Sequence, residues 1–251
     1  MKKQRSENRR VSEKARQRGL RLADVLRERY PAAHCALEYR NAFELLIATI
    51  LSAQTTDVAV NKVTLGLFRQ FPDARAMAQA SPSELEPYLR SIGLFRNKAK
   101  SLVGAARMLV EEFDGEVPRT MEELIRLPGV ARKTANVVLG NCFGVNEGFV
   151  VDTHIQRLAV RYGLANETDN VQVIERKLMA LFPRERWCEL SHQFIWHGRA
   201  VCKARAGLCA DDEICSEFGV CCELRTKPGA SGNKATSARQ AARSAKSGPD
   251  R

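Results

Sequence analysis

The chain has 251 residues, of which 44% are hydrophobic, so it can bury the core of one large domain or of two small ones. No run of about eighteen apolar residues occurs, and we therefore expect no membrane-spanning helix. The N-terminus is basic but lacks the apolar stretch of a signal peptide, which predicts a cytoplasmic protein.

The net charge of +11 is concentrated at the two ends of the chain. Residues 1–29 carry +7 and residues 225–251 carry +6, whereas the 195 residues between them carry −2. Basic ends favour non-specific attraction to nucleic acid phosphates, although solvated tails explain the same composition. We expect residues 1–18 to be disordered, or loosely helical at their end. We also expect residues 225–251 to be disordered, because this segment has no large apolar side chain.

Apolar residues at helical spacing run through the rest of the chain, and strand signals are almost absent. Phe149-Val150-Val151 resembles a strand but is too short to carry a sheet. The pattern therefore predicts an all-α protein with short connections. The predicted helices cover Leu20–Tyr30, 43–53, a segment from Thr56 or Asp57 to Phe71, a segment starting at Ser81, 102–113, two helices within 120–142, a segment around 155–159, 171–181 and 186–200.

A helix, a tight turn and a second helix are predicted around Gly129. Thr120 and Glu123 have the spacing of a capping box, which marks the start of the first helix. Pro128 and Gly129 end that helix, and an apolar run begins the next one a few residues later. Such a hairpin leaves backbone N–H groups free at the positive end of the second helix, where a phosphate binds well. Lys133 lies beside that spot, either as a further cation for the phosphate or as a nucleophile.

Five short motifs occur in an order and at a spacing that are informative together. They are Leu51–Asp57, Ile92–Ala99, Leu127–Asn136, Val151–His154, and His197–Arg199 leading into Cys202. In these motifs the chain resembles the endonuclease III family of helix-hairpin-helix DNA glycosylases with AP-lyase activity. The resemblance covers roughly residues 20–220.

The resemblance implies two α-helical lobes on either side of a DNA-binding cleft. One lobe is a helical barrel over residues 41–149 that contains the helix-hairpin-helix motif at 120–142. The other lobe joins residues 19–40 to residues 150–224 and carries an iron–sulfur cluster. The implied partner is double-stranded DNA with a damaged or abasic site, from which the damaged base is turned out into the cleft. We further expect a monomer that is associated with the nucleoid.

Two residues of these motifs match the catalytic residues of the family. Lys133 matches a nucleophile whose amine attacks C1′, displaces the base and leaves a Schiff base that permits β-elimination of the 3′ phosphate. The amine must be neutral to attack, and both the positive helix end and partial burial would favour that form. Asp152 matches an aspartate that stabilises positive charge on the sugar and assists proton transfer. From the residues alone, the simpler interpretations are a phosphate-binding lysine and a helix N-cap.

Other positions match residues that bind DNA in the family. Gln54 and Leu94 resemble residues that fill the space left by the extruded base, and an exposed leucine in a turn suits such a wedge. The family usually has glycine at position 131, so the cost of the alanine depends on the sign of φ there. The resemblance also implies that Gly129, Val130 and Ala131 offer backbone N–H groups to a phosphate 3′ of the lesion, and Arg132 completes the predicted DNA-binding residues.

Five of the eight cysteines are clustered near the C-terminus, at positions 202, 209, 215, 221 and 222. Without a secretion signal, such a cluster favours metal binding over disulfides. The family pattern is C-x6-C-x2-C-x5-C. After the first pair of cysteines this chain departs from the pattern and lacks one ligand, for which Cys221 and Cys222 are the candidates. We predict a structural [4Fe-4S] cluster, with zinc or a degenerate site without metal as alternatives. The predicted ligands are Cys202, Cys209, Cys215 and Cys221.

The resulting prediction is a bifunctional glycosylase and AP lyase of base excision repair, which removes oxidised pyrimidines from duplex DNA through Lys133. One alternative is a related glycosylase with another base preference, such as the mismatched-adenine enzymes, which usually lack the lysine and carry an extra C-terminal domain. A second alternative is a non-catalytic helix-hairpin-helix DNA-binding protein. This alternative does not explain why Lys133 occurs together with Asp152.

Overall fold

The computed structural model describes residues 11–205 and 207–220. These residues form twelve α-helices and no β-strand, which confirms the predicted all-α class. The first six helices are α1 (Glu13–Arg29), α2 (Ala42–Leu51), α3 (Asp57–Gln70), α4 (Ala74–Gln79), α5 (Pro82–Leu89) and α6 (Phe95–Phe113). The last six are α7 (Met121–Leu124), α8 (Arg132–Phe143), α9 (Thr153–Arg161), α10 (Val171–Leu181), α11 (Trp187–Ala200) and α12 (Glu213–Phe218), with a 3-10 turn over Arg184–Arg186.

The first hydrophobic core is formed by α2 to α8. Helix α2 is apolar on almost every side, lies buried in this core and packs against α3, α6 and α8. Its one acidic residue, Glu44, is also buried and forms an ion pair with Arg40, which compensates for the buried charge. Because α8 rests on this buried helix, the hairpin before α8 has a rigid support.

The second hydrophobic core joins α1 to α9, α10, α11 and α12. Phe149, Phe182 and Phe194 pack with Tyr162 in its interior, at ring centroid separations of 5.9 to 6.4 Å. The segment Phe149–Val151 is neither helix nor strand and contributes Phe149 and Val151 to the second core. The second core therefore combines the N-terminal helix with the helices that follow α8 in the chain.

Two helices begin earlier than predicted. Helix α1 begins at Glu13, because Ser12 Oγ accepts a hydrogen bond from the Ala15 N–H at 3.2 Å and caps the first turn. Residues 13–18 are therefore part of a regular helix, where we predicted disorder or a loosely helical end. Helix α6 begins at Phe95, seven residues before the predicted start at residue 102.

The remaining differences concern short helices and the ends of the chain. Helices α4 and α12 have six residues each, and too few apolar positions fall within such a length to show a period. The predicted disorder of residues 1–10 and 225–251 lies outside the described residues. None of the helices within residues 11–220 that the structure describes is long and apolar enough to cross a bilayer.

Candidate active site

A cleft of about 360 Å³ lies where the two cores meet. Helix α8 forms one side, and Lys133, Val137 and Asn141 line the cleft from there at four-residue intervals, on one helical face. The segment before α9 contributes Val150 and Asp152. Helix α11 contributes Cys188, Ser191, His192, Ile195, Trp196 and Arg199. The volume falls in the range of sites that enclose a small ligand.

Lys133 is the second residue of α8 and is exposed at the cleft. The N-cap of α8 is Ala131, and no side chain caps the first turn. The N–H groups of that turn are therefore available to an anion, at the positive end of the helix dipole. The predicted partial burial of Lys133 was wrong, because the first turn projects from the core and Ala131, Arg132 and Lys133 are all exposed.

Asp152 lines the same cleft as Lys133 and is half-buried. It is the N-cap of α9, where its Oδ1 accepts a hydrogen bond from the Ile155 N–H at 2.8 Å, so the predicted cap is confirmed. This bond orients the carboxylate and leaves Oδ2 without a hydrogen-bond partner in the described part of the chain. The cleft thus combines an exposed amine with an oriented carboxylate.

The hairpin between α7 and α8 turns at Gly129, whose φ is +81°. An added Cβ there would lie 2.9 Å from Ser101 Cβ and 3.1 Å from Ile50 Cγ2. Both the conformation and the space therefore require glycine. Ala131 has a φ of −97°, which every residue adopts easily, so alanine fits where the family usually has glycine.

The backbone donors predicted at this hairpin are only partly free. The Val130 N–H donates to the Leu127 carbonyl at 3.0 Å and is not available to a phosphate, contrary to the prediction. The cause is the tight turn itself, which is closed by a hydrogen bond between its first and fourth residues. The N–H groups of Gly129 and Ala131 make no backbone hydrogen bond within the described residues.

We expect Gly129→Ala to lower the free energy of unfolding by about 2–4 kcal/mol. The alanine would be strained by the left-handed backbone conformation, and its Cβ would also overlap with neighbouring side chains. Gly144→Ala is the matched control, since Gly144 has a φ of +66° but no atom lies within 4 Å of an added Cβ. Only the strain of about 1–2 kcal/mol applies there. Urea unfolding followed by circular dichroism measures both variants. Equal losses would contradict the tight packing of the hairpin.

Arg132 directs its guanidinium toward α10. Its Nε lies 3.2 Å from Glu175 Oε1, and its Nη2 donates to the Glu147 carbonyl at 3.1 Å. The arginine side chain is half exposed, so the ion pair contributes little to stability. A phosphate would have to displace these acceptors before the Arg132 side chain could bind it, and its predicted contact with DNA stays a prediction.

Gln54 and Leu94 share an unusual backbone conformation. Their φ values are +55° and +57°, a region that costs a non-glycine residue about 1–2 kcal/mol. Both are exposed, and Gln54 lines the cleft. Lys98 Nζ connects the two turns by donating to the Leu51 carbonyl at 2.8 Å and to Thr55 Oγ1 at 2.7 Å. Strained turns that hold exposed side chains are typical of functional sites, but the predicted roles of both residues stay predictions.

An ion pair joins the two cores at the cleft. Arg199 Nη2 of α11 lies 2.5 Å from Asp57 Oδ2 at the start of α3, and both residues line the cleft. Thr56 caps α3 through its side chain, which leaves the Asp57 carboxylate free to form this pair. The pair therefore places opposite charges in the wall between the cores.

Sequence reasoning missed several residues that line the cleft, among them Asn141, Cys188, His192 and Trp196. Asn141 had a detectable signal, because it lies eight residues after Lys133 on the same helical face. The residues of α11 had none, since no motif in the sequence places α11 beside α8.

Three of the predicted metal ligands meet in the second core. Cys202, Cys209 and Cys215 are buried, and their Sγ atoms lie within 4.8 Å of one another. Grouped thiols of this kind suit an iron–sulfur cluster or zinc. Cys221, the predicted fourth ligand, and Cys222 lie outside the described residues.

Hydrogen-bond donors surround these thiols. Arg161 Nη1 donates to Cys202 Sγ at 3.1 Å. His197 Nε2 and Tyr162 OH lie 3.4 Å and 3.7 Å from Cys215 Sγ. A hydrogen bond from Cys215 and another from Arg161 lower the pKa of Cys202 to about 5, against the effect of burial. Because hydrogen bonds to sulfur also stabilise and tune iron–sulfur clusters, the surroundings fit such a group.

Comparisons with known proteins point to one family. A model of the HhH-GPD superfamily of base excision DNA repair proteins matches residues 47–184. Endonuclease III of Synechocystis sp. is 53% identical over 199 residues, which cover 79% of this chain and 90% of that protein. Endonuclease III of Escherichia coli K12 is 40% identical over 199 residues, covering 78% of this chain and 93% of that protein.

Two solved structures have a similar fold. The structure of a trapped endonuclease III–DNA covalent intermediate has a TM-score of 0.75 and 43% identity, covering 79% of this chain and 93% of that chain. The structure of a non-covalent endonuclease III–DNA complex has a TM-score of 0.77 and 42% identity, covering 81% of this chain and 94% of that chain.

Proposed function

Since the chain belongs to the endonuclease III family of base excision DNA repair proteins, we propose that it is a DNA glycosylase and AP lyase that removes oxidised pyrimidines from duplex DNA. The class of enzyme follows from the family, whereas the lesion and the roles of individual residues are our proposals. One observation carries them, namely that Lys133 and Asp152 line the same cleft. A protein that only binds DNA would have no use for this combination.

In the proposed reaction, Lys133 Nζ attacks C1′ of the extruded nucleotide, and the base leaves with the electron pair of its bond to C1′. Asp152 accepts the proton that Nζ releases and stabilises the positive charge on the sugar. The C1′–O4′ bond of the sugar then breaks as Nζ and C1′ form the double bond of the Schiff base, and O4′ takes the proton held by Asp152. The Schiff base acidifies the hydrogen on C2′. Loss of that proton expels the 3′ phosphate by β-elimination, and water then hydrolyses the Schiff base and frees the enzyme.

The start of α8 positions the substrate for this attack. The N–H groups of the first turn, together with those of Gly129 and Ala131, form a positive site for the phosphate that follows the lesion. Lys133 belongs to that turn, so a bound phosphate places the preceding sugar near Nζ.

We assign Cys202, Cys209, Cys215 and Cys221 as ligands of a [4Fe-4S] cluster. The Val220 N–H donates to the Arg161 carbonyl at 2.8 Å, and the Arg161 side chain donates to Cys202 Sγ, so the residue before Cys221 is held beside the thiols. When bound, such a cluster supplies a cross-link between the end of α11 and α12.

Cys221→Ser is expected to reduce the bound iron and the absorbance at about 400 nm by at least half, because a four-iron cluster needs four strong ligands. The adjacent Cys222→Ser is the matched control and should retain both. The reverse result would assign the fourth thiolate to Cys222. If both variants retain the iron and the absorbance, neither thiolate is the fourth ligand. His197 and Asp212 then become the candidates, because their ligand atoms lie within 4.8 Å of Cys215 Sγ.

A duplex with a single thymine glycol tests the proposed activity. The protein should release the base, cleave the strand 3′ of the site and form a covalent adduct when borohydride is present. An undamaged duplex should stay intact. Binding to abasic DNA without cleavage or trapping would instead identify a DNA-binding protein.

The proposed partner is double-stranded DNA that contains a damaged or abasic site. We also propose that the protein acts as a monomer, because one chain provides both Lys133 and Asp152. Association with the nucleoid is supported by the +7 charge of residues 1–29 and the +6 charge of residues 225–251.

A further inference from the structure

Lys98 is a buried lysine that takes no part in the reaction described above. It lies at the end of the first turn of α6 and is 6% exposed. Burial lowers the pKa of its amine, and no carboxylate of the described residues acts in the opposite direction. A buried amine is costly unless hydrogen bonds compensate for its lost hydration. The acceptors of Lys98 therefore indicate what this residue does.

Both acceptors of the Lys98 amine belong to the turn between α2 and α3. Nζ donates to the Leu51 carbonyl at 2.8 Å and to Thr55 Oγ1 at 2.7 Å. Leu51 is the last residue of α2, so the amine lies at the negative end of that helix. Thr55 Oγ1 donates in turn to the Ala53 carbonyl at 3.3 Å. These bonds fix the backbone on both sides of Gln54, and none of them uses the Gln54 side chain.

The backbone of Lys98 fixes a second turn. Its N–H donates to the Leu94 carbonyl at 3.0 Å and so closes the first turn of α6. Leu94 is the N-cap of α6, and no side chain caps the helix there. Lys98 thus connects the turn that holds Gln54 to the turn that holds Leu94. Because α6 packs against α2 in the first core, both turns rest on a rigid support.

The two connected turns hold their exposed residues in a strained conformation. Gln54 and Leu94 have φ values of +55° and +57°, which glycine adopts without strain. Gly93 directly precedes Leu94, yet the positive φ falls on the leucine, whose side chain is 61% exposed. Such strain persists only where the surroundings fix it, and it is typical of functional sites. The side chains at these two positions, rather than the turns alone, are therefore what the strain serves.

We propose that Lys98 is a positioning residue that holds Gln54 and Leu94 as one rigid unit, ready to enter the duplex where the damaged base leaves it. This inference rests on the proposed glycosylase function and adds a residue that acts on base extrusion rather than on the chemistry at Lys133. Two side chains that are fixed before DNA binds lose little conformational freedom when they enter the duplex. Without the bonds of Lys98, the Gln54 turn would be free to relax its strain.

Lys98→Met tests the proposal on a duplex with a single thymine glycol. Methionine keeps an unbranched apolar chain but removes both hydrogen bonds of the amine. We expect kcat/KM for base removal to fall by about 10-fold to 100-fold, as expected when interacting groups are misplaced by about 1 Å. Lys100→Met is the matched control, because Lys100 is exposed on the same helix, and it should keep the wild-type value. Wild-type activity in Lys98→Met would overturn the proposal.

A double-mutant cycle shows whether Lys98 acts through the two exposed side chains. The Gln54→Ala/Leu94→Ala protein keeps the acceptors of Lys98, which are a backbone carbonyl and the Thr55 hydroxyl. In that protein Lys98→Met should change kcat/KM by less than about threefold, because nothing is left to position. A lysine that only stabilises the fold would cause the same loss in both backgrounds. That result, or full activity of the Gln54→Ala/Leu94→Ala protein, would overturn the proposal.

Thr55→Val provides a second test if the Lys98→Met protein does not fold. Valine keeps the shape of the side chain but removes the hydroxyl that connects the Lys98 amine to the Ala53 carbonyl. We expect a smaller loss of kcat/KM, of about threefold to tenfold, since the bond to the Leu51 carbonyl remains. The loss should shrink to within about twofold in the Gln54→Ala/Leu94→Ala background. An unchanged value, or an equal loss in both backgrounds, would overturn the proposal.

The wild-type protein separates this inference from the function on which it rests. If it removes thymine glycol and the Lys98→Met protein does so equally well, the inference alone is overturned. If the wild-type protein neither removes the base nor cleaves a duplex with a pre-formed abasic site, the proposed function is overturned.

Discussion

Lys133→Arg is expected to abolish borohydride trapping on abasic DNA and to slow strand cleavage by at least about 1,000-fold. Arginine keeps the positive charge at the start of α8, but its guanidinium stays protonated and has no lone pair to attack C1′. The variant therefore separates the two interpretations of this residue. A nucleophile cannot be replaced by arginine, whereas a phosphate-binding cation can.

Lys62→Arg is the matched control for this variant. Lys62 is exposed on α3 and does not line the cleft, so trapping and cleavage should stay at the wild-type level. Fluorescence anisotropy with an abasic duplex should show similar affinities for wild type and Lys133→Arg. Normal trapping by the Lys133→Arg protein would remove Lys133 from the reaction.

Asp152→Asn is expected to reduce kcat for base removal by about 100-fold to 10,000-fold, the usual contribution of a positioned proton acceptor. Asparagine caps a helix as well as aspartate does, so the free energy of unfolding should change by less than about 0.5 kcal/mol. The substitution thus removes the charge of the carboxylate and keeps its hydrogen bond to the Ile155 N–H.

Asp73→Asn makes the same chemical change at another N-cap, where Asp73 Oδ1 accepts a hydrogen bond from the Ala76 N–H at 2.8 Å. Since Asp73 is remote from the cleft, both activity and stability should be unchanged. Asp152→Ala should lose activity together with about 1 kcal/mol of stability, because the cap is lost as well. Full activity in Asp152→Asn would mean that capping is the whole role of this residue.

The helices were largely predictable because apolar residues recur at helical spacing where a helix packs against a core. Helix α10 occupies the predicted residues 171–181, and its buried side chains follow that spacing. The start of α1 was not predicted, because it depends on a single hydrogen bond from the Ala15 N–H to the Ser12 side chain rather than on any apolar period. Helices of only six residues are also missed, because they contain too few apolar positions to show a period.

The candidate site was predictable where a local motif specifies it and not where distant helices meet. Lys133 and the cap at Asp152 follow from residues close to them in sequence. The packing of α8 against α10 and α11 determines two other contacts. They are the ion pair of Arg132 with Glu175 and the hydrogen bond between Asn141 and His192. No local pattern encodes such contacts, because the partners are separated by 43 and 51 residues.

The amine and the carboxylate of the cleft are supported by different cores. Lys133 begins a helix of the first core, and Asp152 begins a helix of the second, so their alignment depends on contacts such as that of Asp57 with Arg199. A displacement of about 1 Å between reacting groups can cost about 100-fold in rate. Mild denaturant should therefore inactivate the protein while the circular dichroism of both cores is still intact.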